Sequence, residues 1–216
     1  MNETVYSEHP SILKPASSED DRGLLAELAF VKAARAAGYT VTYTTPREDY
    51  LTHCDFRVSL GAQDQDGDKE DAGMGVTQTT QTVDVKARRR FRRSDPLSTD
   101  SGAPEEDELI WLETHGRRHG DPGWLFAGHM DLLALETEGS FWLLDRKRVA
   151  DILQDPKGPV DMTRPHVFQP VEGRIYARGA AMGHGSHDAV VSLRLGQLTE
   201  HRPDALVRRI PKVTTI

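Results

Sequence analysis

The sequence predicts an α/β fold in one domain. Three observations predict it: a capped helical run that ends at Gly38, three strand-like segments between Tyr39 and Arg88, and a strand, strand, strand, helix succession from Leu109 to Gln154. At 216 residues the chain can bury a real core and stays below the ~250 to 300 residues at which a single core stops growing. The expected division of that domain, residues 1–216, is a core over 17–154, a mobile acidic loop over 61–78 and a C-terminal extension over 155–216.

The first helix has clear ends. Ser17 and Ser18, followed by Glu19, Asp20 and Asp21, supply an N-cap and first-turn acids, and Gly38 suits a left-handed C-cap. At 100° per residue Leu24, Glu27, Leu28, Phe30, Val31 and Ala34 share one arc, so an acid is embedded in the core-facing stripe. Such a glutamate is expected either to pair with an arginine at the edge of the stripe or to serve chemistry.

Strands are expected over Tyr39–Thr45, His53–Leu60 and Thr80–Arg88, which are rich in β-branched and aromatic residues. In the second, Cys54, Phe56, Val58 and Leu60 alternate with His53, Asp55, Arg57 and Ser59. In the third, Val83, Val85 and Ala87 alternate with Asp84, Lys86 and Arg88. Period-two geometry places Asp84 and Lys86 on one face, with Asp55 on the polar face of the expected hairpin partner. The PREDY stretch, residues 46–50, reads as a loop.

Leu109–Thr114, His129–Thr137 and Ser140–Asp145 are expected to complete the same sheet, and Arg146–Gln154 to form a helix. Between them Gly120–Trp124 reads as a tight turn whose tryptophan anchors packing. Glu113 and Asp131 are read as structural hydrogen-bonding acids, with a supporting role at a metal as the alternative. Arg174–Arg178 and Asp188–Leu195 read as a return hairpin that finishes the sheet and brings Tyr176 and Arg178 near a substrate groove. His184 and His187 lie in its glycine-rich tip without a cysteine or fixed acid, so a zinc site is not expected there. Ser186, His187 and Asp188 are consecutive and cannot form a triad among themselves.

The formal net charge of -7 hides an uneven distribution. Lys86–Arg93 carries six basic residues and no acid, whereas Ser94–Glu108 carries six acids and no base. Gly61–Gly75 adds five acids against one lysine and has no apolar period. The acidic blocks are read as solvated surface. The basic run follows a strand and is the kind of segment that meets nucleic acid. Asp64–Asp68 has the alternating acids of a calcium loop, but Gly75 stands where the closing glutamate should be, so calcium is not expected. With Cys54 as the one cysteine no internal disulfide can form, which points to a reducing cytoplasmic setting. No apolar run is long enough for a membrane span, and Met1–Pro10 lacks the basic and apolar sequence of a signal peptide.

Glu27, Asp55, Asp84 and Lys86 converge if the first helix packs on the polar face of the hairpin. Two or three half-buried carboxylates repel one another and lose hydration, which a cation between them relieves. Oxygen ligands select Mg2+ or Mn2+ over zinc. With Lys86 beside a scissile phosphate, phosphodiester hydrolysis is the reaction that such a group performs.

The order of these groups resembles a known family. Arg22-Gly23 and Glu27 on the first helix, Asp55 on a strand, and Asp84-Val85-Lys86 on the next are similar to the PD-(D/E)XK nuclease superfamily. The resemblance is strongest over Asp21–Arg93 and looser to about Gln154. It implies a restriction-endonuclease-like core: a helix, a three-stranded meander, a second helix and further strands in a mixed sheet flanked by helices. It also implies metal-dependent cleavage of DNA, less often RNA. On this likeness Asp55 and Asp84 ligate the metal, the Val85 carbonyl adds a ligand, Lys86 is the catalytic lysine, and Glu27 holds a water on the metal. The chain departs from the pattern in having Cys54 before Asp55, an aspartate as the middle acid, and a separation of 29 positions from Asp55 to Asp84. Asp55 is preferred to Asp49 as the first acid because Asp49 falls before the strand.

The expected function is therefore a Mg2+-dependent DNA endonuclease of bacterial or phage type. No base-reading motif is evident, which favours a structure-selective or nonspecific enzyme. Arg88, Arg89, Arg90, Arg92 and Arg93, with Arg178, are the expected contacts to the phosphate backbone. Homodimerisation is a candidate assembly. The alternatives are a binding or inhibitor protein on a nuclease-like fold, and a subunit that cuts only with a partner.

Overall fold

The computed structural model describes residues 20–60, 79–88, 104–116, 122–166, 174–178 and 188–213. The Ser17/Ser18 cap, the acidic loop, Arg89, Arg90, Arg92, Arg93, Arg117, Arg118, His119, His184 and His187 lie outside them. The architecture is mixed α/β. Helix α1 (Asp20–Ala36) is followed by β1 (Tyr39–Tyr43), α2 (Pro46–Thr52), β2 (Phe56–Leu60), β3 (Thr80–Lys86), β4 (Leu109–His115), the short α3 (Gly123–Ala127), β5 (Leu132–Glu136), β6 (Ser140–Asp145) and α4 (Arg146–Gln154). Then come β7 (Asp161–His166), β8 (Arg174–Arg178), β9 (Asp188–Arg194), α5 (Leu195–His201) and β10 (Leu206–Pro211). Among the described residues no helix is long and apolar enough to cross a membrane.

Two sheets form. The first has the order β1-β2-β3-β5-β6-β10, and the second β4-β9-β8-β7. Strands β1, β2 and β3 make an antiparallel meander, and β5 then joins β3 in parallel. A parallel neighbour needs a crossover, and here it includes β4 and α3.

Helix α1 ends as its sequence predicts, with Gly38 at φ 88° and its amide donating to the Arg35 carbonyl. The first sheet curls around this helix. Phe30, fully buried, packs its ring 5.7 Å from Phe56 on β2 and 5.4 Å, edge to face, from Phe141 on β6. The curl brings the two edge strands together: the Arg208 guanidinium on β10 lies 5.2 Å from the Tyr39 ring on β1 and donates to its hydroxyl at 3.2 Å.

The opposite face of this sheet covers a second core, in which Leu133, Leu135 and Leu144 meet Ile110 and Leu112 of β4, Val191 and Leu193 of β9, and Val149, Ile152 and Leu153 of α4. Helix α4 begins at Asp145, whose carboxylate accepts from the Arg148 amide, and its buried residues follow the helical period.

Three expectations are corrected. Strand β4 does not join the sheet of β5 and β6. It pairs with β9 in the second sheet because β5 occupies the slot beside β3, and Ile110 and Leu112 are buried between the layers. The β8–β9 hairpin likewise belongs to the second sheet, and β10 is the strand that extends the first, along β6. The PREDY stretch is helix α2, set by a capping box between Thr45 and Glu48 with Pro46 in the first turn.

Candidate active site

Strands β2 and β3 pair from Ser59↔Thr80 to Phe56↔Val83 and then separate. Beyond that point β3 continues along β5, with Asp84 beside Leu133 and Lys86 beside Leu135. The other side of β3 is left with an amide that no β2 backbone reaches. Asp55 fills the opening. Its own amide donates to the Val83 carbonyl at 2.9 Å, and its Oδ2 accepts from the Val85 amide at 2.6 Å. The site residues are thus placed by the divergence of two strands, where backbone polar groups need side-chain partners.

Asp84 is 3% exposed. Its Oδ2 lies 2.7 Å from the Lys86 ammonium, yet no donor is aligned on that oxygen in hydrogen-bond geometry. The contact is one of charge, and a buried acceptor oxygen is left without a directed partner. On its other side the Lys86 ammonium lies 4.6 Å from the centre of the Trp124 ring on α3.

Helix α1 does not pack on the polar face. Its buried stripe, with Ala26, Phe30, Val31 and Ala34, lies against Phe56, Val58, Val83 and Val85. Apolar surface drives that choice, and it puts α1 on the side opposite Asp84 and Lys86. The acids nevertheless act on one another. Burial pushes the Asp55 carboxyl well above its ordinary range, and the charges of Asp84 and Glu27 push it further, against the Val85 amide and Lys86. Glu27, on α1, thus acts on Asp55 through its charge.

Asp49, set aside on sequence because its segment reads as a loop, joins the same group. Its carboxyl is raised by burial and then by Asp84 and Glu27, with His53 and Lys86 opposing. Helix α2 holds it there: the capping box fixes the first turn, the Arg57 guanidinium grips Glu48 at 2.7 Å, and His53 closes the helix in the left-handed conformation at φ 52°. The Thr45-Pro46-x-Glu48 spacing was the signal that could have found it.

The other expected residues are placed differently. Arg88 turns inward: its amide donates to Glu136 at 3.0 Å and its guanidinium pairs with Glu108 at 2.7 Å, leaving 17% of the side chain exposed. It is an internal ion pair, formed because Glu108 is itself half-buried and needs a cation, and it does not extend toward a phosphate backbone. Arg178 lies on β8 in the second sheet, and its side chain is outside what is described. Asp131 caps the start of the β3–β5 pairing by accepting from the Thr82 amide and hydroxyl at 2.8 and 2.9 Å, a structural role. Trp124, expected to anchor packing, does pack on the second core and also faces Lys86.

Glu27, Asp49, Asp55 and Asp84 offer carboxylate oxygens alone, the ligand type that a hard divalent cation takes. Among the described residues no three or more Asp, Glu, His or Cys side chains are close enough together to hold a metal ion. Comparison with known protein families, with curated proteins and with solved structures returns no match in any of the three.

Proposed function

We propose that the chain is a metal-dependent nuclease of the PD-(D/E)XK type that hydrolyses DNA phosphodiester bonds. The observation that carries this reading is the group at the β2–β3 opening. There the Lys86 ammonium stands on the buried Asp84 carboxylate at 2.7 Å, beside Asp55, whose carboxyl is raised by burial and then by the charge of Asp84. A helix, an antiparallel meander of β1–β3 with α2 inserted after β1, and a crossover through β4 and α3 to the parallel strand β5 support the likeness that the sequence suggests.

A divalent ion fits the unbalanced negative charge and the undirected Asp84 oxygen; Asp55 and Asp84, with the Val85 carbonyl, would hold it, and Glu27 would hold a water on it. When bound, such an ion supplies Lewis acidity toward a phosphate ester. The protein's own contributions are separate. The Val85 amide fixes one Asp55 oxygen. Asp84 keeps Lys86 close, and the Lys86 ammonium would offer positive charge to the non-bridging oxygens as charge builds on the phosphate. Substrate preference is proposed as structure-selective or nonspecific DNA.

Supercoiled plasmid, single-stranded DNA and RNA incubated with the purified chain and Mg2+ or Mn2+ test this reading. Cleavage is expected, with Asp84→Asn and Lys86→Met each lowering the rate by at least ~100-fold at unchanged circular dichroism. A folded wild-type protein that cleaves none of these substrates with either ion rules the proposal out.

A further inference from the structure

Trp124 is held with unusual firmness for a residue in a five-residue helix. Gly123, at φ 70°, lies flush against β4: a Cβ there would stand 2.8 Å from the His115 nitrogen and 2.9 Å from the Thr114 carbonyl carbon. On the far side of the helix Arg146, a guanidinium 8% exposed, donates to the Leu125 carbonyl at 2.8 Å and to the Met130 carbonyl at 3.0 Å. The Gly128 amide closes the helix on the Trp124 carbonyl at 2.9 Å. Leu125, fully buried, ties the helix to the core. Backbone and side chains from β4, α4 and the β5 approach thus fix α3, and Trp124 is the member of it whose ring meets Lys86.

We infer that Trp124 is a positioning residue for Lys86, its ring and the Asp84 carboxylate holding the ammonium between them at the mouth of the β2–β3 opening. This rests on the nuclease reading for its consequence and on the geometry alone for its substance. A lysine side chain has four rotatable bonds, and one anion at 2.7 Å restrains its distance but not its direction. A ring face 4.6 Å away supplies the second restraint, because the ammonium is drawn over the π-electrons. A rigid α3 makes that restraint independent of substrate. The ring does not need to touch DNA for this role.

Three variants separate positioning from packing. Trp124→Leu keeps an apolar side chain without a π face, Trp124→Phe keeps the face, and thermal melts establish that both fold. In 1H–13C spectra labelled at lysine, the Lys86 ε-protons are expected upfield in wild type, back at ordinary lysine shifts in Trp124→Leu, and upfield again in Trp124→Phe; Lys86→Met assigns the signal. In the cleavage assay Trp124→Leu is expected to lower kcat by about tenfold with KM unchanged, and Trp124→Phe to restore most of it. An unshifted Lys86 signal in wild type overturns the inference whatever the activity. So does a Trp124→Leu enzyme with full kcat, and so does a loss confined to KM, which would put the ring on the substrate instead. If nothing is cleaved but the ring shift is present and vanishes in Trp124→Leu, the nuclease reading falls while the placement of Lys86 stands.

Discussion

The amide of Val85 donates to Oδ2 of Asp55 at 2.6 Å, across the gap where β2 has stopped pairing with β3. A carboxylate thus substitutes for a strand. The substitution satisfies one amide but leaves a carboxyl where burial, and then the charges of Asp84 and Glu27, raise it. A site of this kind is expected to be maintained at the expense of stability.

Replacing that charge should stabilise the metal-free protein. Asp55 has an ordinary value of 3.8 and a raised one in the fold, so between the two the folded state keeps a proton that the unfolded chain releases, and stability falls as pH rises through that window. Asp55→Asn does not titrate. In chelator at neutral pH it is expected to melt higher than wild type by on the order of 1 kcal/mol, or ~2 to 4 °C for a chain of this size. The gain should vanish below about pH 4. Thermal melts across pH check this; a lower melting point at neutral pH counts against it.

Glu105 carries the opposite sign. It accepts from Ser140 Oγ at 2.6 Å, Trp142 Nε1 at 2.9 Å and Arg209 at 2.6 Å. Burial alone would raise its carboxyl, but these hydrogen bonds together hold it at about 2, below an ordinary 4.5. Its contribution is present above 4.5 and lost as pH falls toward 2. Glu105→Gln is expected to destabilise by ~1 to 3 kcal/mol at neutral pH, with the difference shrinking in acid. A difference independent of pH would show that the charge is not what holds the clasp.

Arg88 should matter for folding and not for nucleic acid. Its ion pair with Glu108 is largely enclosed, at 17% and 14% side-chain exposure, and Glu108 is already raised by burial. Arg88→Met removes the cation, keeps the stem, and is expected to cost ~1 to 3 kcal/mol in urea melts. If the chain binds DNA as proposed, the salt dependence of that binding should be unchanged in Arg88→Met, because the guanidinium is held by Glu108. A shallower salt slope would return Arg88 to the substrate.

Two glycines should respond to alanine in opposite directions. At Gly123 the backbone is left-handed and the new Cβ meets main-chain atoms of β4 at 2.8 and 2.9 Å, so a loss of ~1 to 3 kcal/mol is expected. At Gly23, inside α1, nothing lies within 4 Å, and a gain of ~0.5 to 1 kcal/mol is expected. Denaturant melts of the pair check both; equal signs would mean that α3 is not seated on β4 as described.

Much of the fold was legible because its signals are local. The end of α1 at Gly38, the alternation in β2 and β3, and the helix α4 over Arg146–Gln154 each depend on residues a few positions apart, and all are found where the sequence places them. Helix α2 was equally local, with its Thr45-Pro46-x-Glu48 start, but the turn-forming look of its residues masked the capping signal, and Asp49 was set aside with it.

By itself the sequence singled out Asp55, Asp84 and Lys86 as candidates, with alternation that sets the last two on one side of a strand and away from Val83 and Val85. Only the tertiary structure decided how they meet. Whether α1 covers the valines or the acids, whether β4 or β5 stands beside β3, and whether Arg88 faces water or Glu108 are choices between distant partners. No local period encodes such choices. They follow from burying the largest apolar surface while giving enclosed polar groups such as Arg88 and Glu108 a partner, a condition set by residues far apart in the chain.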